Sequence, residues 1–152
     1  PFIDDTSVEV PETFTVGFSG PTGGATLGAP SSATVTITDD PPVVSVTATD
    51  ADAAETGQDP GVFTFTRAGG NLAAALTVSF SRSGTATNNS DYSNIGFSIT
   101  IPANQSSATV TITPIDDPGV EGPETVVLTI TASTIYVIGT PASATVTISD
   151  ND

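Results

Sequence analysis

Seventeen carboxylates stand against two guanidinium groups in this 152-residue chain, and lysine, histidine and cysteine are absent. Oxygen is therefore the only ligand or catalytic atom present in quantity. Thiolate nucleophiles, imidazole bases and the usual zinc sites are excluded by residue type. Eleven of the acids fall in four short stretches: Asp50, Asp52, Glu55 and Asp59; Asp91; Asp116, Asp117, Glu121 and Glu124; Asp150 and Asp152. Carboxylates grouped like this do one of two things. A pair such as Glu121 and Glu124 can perform acid–base work on a glycosidic bond. A larger set shares a hard cation. No concave pocket or aromatic platform is signalled, so no enzyme is expected. With so few Lys and Arg, nucleic acid is a poor partner. No apolar run is long enough to span a membrane as a helix.

The elements that position these acids are strands. High acidity with few aromatics can mean disorder, but 37% of the residues are hydrophobic, and they alternate. SATVTIT occurs at 32–38 and at 107–113, and SATVTIS at 143–149. In each, Val and Ile point one way and the threonines the other, the period of a half-buried strand. A longer repeat lies above this one: residues 3–42 match 115–152. IDD at 3–5 pairs with 115–117, PET at 11–13 with 123–125, and ATVTITDD at 33–40 with ATVTISDN at 144–151. The first copy reads as the end of one domain (1–42, with Pro41-Pro42 as a stiff linker) and the second closes a complete domain over 43–152. Seven strands are expected there, near 43–49, 61–67, 75–83, 96–101, 107–115, 124–131 and 142–149. Gly, Pro, Asn and Ser clusters separate them. The fold expected is an all-β, immunoglobulin-like antiparallel sandwich in tandem repeat. The partial copy supplies two strands, near 12–18 and 32–38.

Strand parity then sorts the acids. If the seven strands alternate up and down, the loops at 50–60, 84–95 and 116–124 and the tail of the last strand share one pole. All eleven acids lie in those segments. The opposite loops, 68–74, 102–106 and 132–141, carry none. Carboxylates crowded this way repel one another unless a counterion joins them. Calcium takes six to eight oxygen ligands and suits the set best; magnesium is stricter, and transition metals want His or Cys. The competing reading is a solvated acidic rim.

Four segments carry a resemblance to a known family: IDDPGVEGPETVVLTI at 115–130, SDYS at 90–93, AAETG at 53–57 and TVTISDND at 145–152. Together they resemble the Calx-beta domain of sodium–calcium exchangers and bacterial surface proteins. The resemblance covers 43–152 as one domain and 1–40 as the end of another. It implies calcium binding at this pole, with Glu55, Asp91, Asp116, Asp117, Glu121, Glu124, Asp150 and Asp152 as ligands. Glu124 has an alternative, as a solvent-facing start of its strand. Asn151 interrupts the usual run of Asp in the tail. Tyr92 is expected in the core, and Asp50, Asp52 and Asp59 as solvated loop acids. In the first copy Asp4, Asp5, Glu9, Glu12, Asp39 and Asp40 repeat half a site. A neighbouring chain or an upstream segment is expected to complete that half-domain, as a head-to-tail polymer or a tandem array. The function expected is a calcium-stiffened structural repeat of an adhesin or filament at the cell surface or outside it, in a bacterium. The alternative is an adhesive module that recognises a glycan or a protein.

Overall fold

The computed structural model describes Glu9 and residues 11–152. The alternating segments become strands, and a single 3-10 turn over Thr56–Gln58 is the only helical element among the described residues. The first copy forms a hairpin of β1 (Glu12–Gly17) and β2 (Ser32–Ile37). The remainder builds two sheets from β3 (Val43–Asp50), β4 (Asp52–Ala54), β5 (Gly61–Ala68), β6 (Leu76–Gly84), β7 (Ser98–Ile101), β8 (Ser107–Ile112), β9 (Glu124–Ile130), β10 (Val137–Ile138) and β11 (Ser143–Ser149). One sheet runs β10-β3-β5-β8 and the other β4-β11-β9-β6-β7. The fold is the all-β sandwich expected from the alternation.

Two short strands go beyond the seven. The register between β3 and β5 shifts between Ala48 and Asp50. The chain then crosses to the other sheet, where β4 runs parallel to β11 and Ala51 O accepts from Thr147 N at 2.8 Å. β10 adds to β3, also in parallel. Spans of two or three residues show no period, so alternation cannot announce them. β8 stops at Ile112, short of the expected boundary; the next segment contains Pro114, which has no N–H to donate to a ladder.

The core lies between the sheets. Val44, Val46, Phe63 and Phe65 come from one side, and Val78, Phe80, Val126, Leu128, Val146 and Ile148 from the other, all buried. Phe65 meets Phe80 across the gap at 5.3 Å between ring centroids. At the acidic end the sheets close tightly: a Cβ on Gly61 would sit 2.4 Å from Val146 Cγ1. Gly84 ends β6 at φ +116, where a Cβ would meet Thr125 O at 2.1 Å. Only glycine allows that approach. At the opposite end, buried Arg67 donates to the carbonyls of Gln105, Ala74, Leu72 and Pro102. One guanidinium thus ties the 68–75 loop to the 102–106 loop.

The two repeats share a register. Val16 faces Ala33 and Phe14 faces Val35, as Leu128 faces Ala144 and Val126 faces Val146. Their surroundings differ. Leu128 and Val146 are fully buried, whereas Val16 is 55% exposed, Phe18 76% and Val35 38%.

Candidate metal centre

Four separate segments deliver acids to one end of the sandwich. Glu55 follows β4, and its amide donates to Ser149 O at 3.1 Å. That bond holds it against the end of β11, whose tail carries Asp150 and Asp152. Carboxylate oxygens of Glu55, Asp150 and Asp152 all lie within 4.8 Å of one another. A second group, Asp91, Glu121 and Glu124, meets the same limit. Asp91 comes from the β6–β7 connection; Glu121 from the β8–β9 loop; Glu124 opens β9.

Two of these acids are out of water: Glu55 is 5% exposed and Asp91 8%. Burial disfavours the charged form of Glu55, and the charges of Asp150, Asp117, Asp116 and Glu121 add to that, so its pKa is raised. Burial also works against ionised Asp91, but hydrogen bonds from the Thr87 amide, the Glu124 carboxyl and Ser90 outweigh it and hold the group below the ordinary range. Glu124 answers in the opposite sense. Burial, its hydrogen bond to Asp91 and the charges of Asp91, Glu121 and Glu55 push it up to about 7. Of the two, Glu124 therefore holds a proton the more readily and Asp91 keeps its charge when no cation is bound. Glu121 is raised by desolvation and by Asp91, Asp117 and Asp150. Asp150 is lowered by the amides of Glu121, Asp152 and Asn151, the first donating at 2.7 Å.

The other expected residues are placed close by, outside the two groups. Asp116 Oδ1 accepts from Asn151 Nδ2 at 3.0 Å, and Asp117 Oδ1 accepts from Gly119 N at 2.7 Å. Both acids still act on Glu55 through their charge. Asp50, Asp52 and Asp59 are exposed and belong to neither group. Tyr92 is buried in the core beside Asp91. Residue-by-residue reading missed Asn151 and Thr87. Asn151 reads as a lost charge, yet its amide gives the donor that a carboxylate lacks. Thr87 carries no signal, because it acts through its backbone.

The half-site repeats part of this geometry. Glu9 N donates to Asp39 Oδ2 at 2.8 Å, as Glu121 N does to Asp150 Oδ2. Glu12 and Asp40 are exposed. Asp40 Oδ1 lies against Gly69, in the β5–β6 loop. Asp4 and Asp5 lie outside the described residues.

The donor set fits calcium. It is all oxygen, it comes from four segments, and no arginine of the described residues enters it. The family model of the Calx-beta domain matches twice, over residues 1–41 and 38–152. The chain belongs to the Calx-beta family. Among solved structures, the Calx-beta sandwich of this protein is similar to the apo-form Calx CBD1 domain, at TM-score 0.59 and 20% identity, over 74% of this chain and 99% of that one. It is similar to CBD12 from CALX1.2 at TM-score 0.58 and 19% identity, over 72% of this chain and 46% of that one. The isolated Calx CBD2 domain follows at TM-score 0.53 and 13% identity, over 72% and 87%. Comparison with curated proteins gives no significant match. A Calx-beta domain is typically a non-catalytic binding module.

Proposed function

We propose that this Calx-beta chain is a calcium-binding structural repeat of an extracellular or cell-surface adhesin or filament, in which the cation stiffens the junction between successive domains. One observation carries the reading: acids from four segments converge at a single end, two of them buried, with no cationic side chain among the described residues to neutralise them. In this reading Glu55, Asp91, Glu121, Glu124, Asp150 and Asp152 hold the ion or ions. Asp116 and Asp117, which already repel Glu55, complete the shell. Bound calcium replaces that mutual repulsion with shared coordination.

The junction argument follows from chain order. The acidic end of one repeat leads through a short linker into the next. In the first copy that linker is Pro41-Pro42, and Pro42 O accepts from Val137 N at 2.9 Å. Glu9 and Asp39 keep the local bond of a site there. Val16, Phe18 and Val35 are exposed at positions whose counterparts are buried. An upstream segment, or a neighbouring chain adding head to tail, completes that half-domain. Calcium titration calorimetry together with thermal melting, with and without chelator, tests the reading. An unchanged melting temperature and no heat of binding would remove calcium from it. Sedimentation over a concentration series separates a polymer, which grows, from a cis completion, which does not.

A further inference from the structure

The chain has only two cationic side chains, and the acidic end uses neither. Arg67 is committed to four carbonyls at the far end. Arg82 lies near the end of β6 with its guanidinium 4.0 Å from the ring centroid of Phe97. Its Nη1 is buried and has no hydrogen-bond acceptor among the described residues. A buried guanidinium N–H without an acceptor is costly, so the position calls for one. Beside it opens a groove of about 450 Å³, lined by Arg82, Ser83, Thr87, Asn88, Tyr92 and Phe97 among others.

The walls are set by the backbone. Gly84, with its positive φ, lets the end of β6 close on Thr125, and Ala86 N donates to Thr125 O at 3.1 Å. Asn88 is fixed by Asn94 and by the Ile95 amide. Tyr92 is buried in the core and lines the same groove as Arg82. Hydroxyl-bearing residues, Arg82 and the exposed ring of Phe97 thus line one open space.

We propose that this groove binds a carboxylate, received by the Arg82 fork with hydroxyl support and with Phe97 against its aliphatic stem. A carboxylate suits a single planar fork. A phosphate dianion suits it less, because the Thr87 stretch that lines the groove also holds Asp91, and the chain carries a net charge of −15. The group arrives either on an acidic side chain of a peptide or on a small free acid. This site is independent of the calcium reading.

Amide and guanidinium NMR of the 152-residue chain tests it, at fixed ionic strength with calcium chloride constant and no chelator, since chelators are themselves carboxylates. The probes are propionate, a capped Gly-Glu-Gly peptide and inorganic phosphate. The expected result is saturable shifts at Arg82, Thr87, Asn88 and Tyr92. Binding should weaken by at least about tenfold in R82Q. R82K retains the charge without the fork and should fall between the two, with shifts elsewhere in the chain unchanged. Peptide binding well above propionate assigns the source to a side chain; equal binding assigns it to a free acid. Shifts that spread over the chain and persist in R82Q would overturn the site, as would phosphate binding as tightly as carboxylate.

Discussion

Glu55 offers a test in which the sign of the effect, not only its size, separates a metal ligand from a structural acid. Replacing it as Glu55→Gln keeps the shape but removes a buried charge facing Asp150, Asp117, Asp116 and Glu121. Without calcium that charge is a liability, so the variant should melt at or above the parent temperature. With calcium the same change removes a ligand. Extracellular calcium modules bind with Kd of about 10⁻⁴–10⁻³ M. At ten millimolar calcium, a concentration of about 10–100 times Kd, one site adds about 1.4–2.7 kcal/mol. The second family match spans residues 38–152, and for a unit of about that size unfolding entropy makes each kcal/mol worth roughly 4 °C. The parent should therefore gain about 6–12 °C on adding calcium, and the variant less than half of that. Differential scanning calorimetry in chelator and in calcium reads both arms. A variant equally destabilised in both conditions, or one with the full calcium shift, would refute the placement of Glu55 at the ion.

Three further outcomes follow from the same geometry. In chelator, Glu124 with its folded pKa near 7 contributes stability that is complete below about pH 4.5 and is lost as pH rises through 7; urea melts across that window should show the loss, and Glu124→Gln or saturating calcium should flatten it. Asn151→Asp removes the donor to Asp116 and adds a charge, so it should lower the calcium-free melting temperature and enlarge the calcium shift. Arg67→Met strands carbonyls of two loops around a buried side chain and should cost about 3 kcal/mol or more with and without calcium, read by urea denaturation. Arg67→Lys, which keeps charge but has no fork, should recover less than half of that loss.

The parts of the fold open to sequence reading are those written as side-chain alternation, because a pleated strand turns sequence parity directly into inside and outside. Val146 and Ile148 announce β11 in this way, and their repeat at Val35 and Ile37 announces β2. The same parity places the 50–60, 84–95 and 116–124 loops together, since direction reverses with each strand. What stays hidden is carried by the backbone. The crossing after β3 depends on a shifted ladder at Ala48 and on Ala51 O, neither of which selects a side chain. Asp91 shows the consequence for the site. Its side chain is visible as one acid in a loop, but its low pKa depends on the Thr87 amide, and any residue except proline could offer that donor. The hydrogen bond between Asp91 and Glu124 forms only because β9 begins where the 84–91 stretch folds back, a long-range contact with no local signature. Sequence thus locates the acidic end and its residue types, while burial and main-chain donors decide which carboxylates are charged there. A cation can satisfy the whole group although no arginine of the described residues enters it.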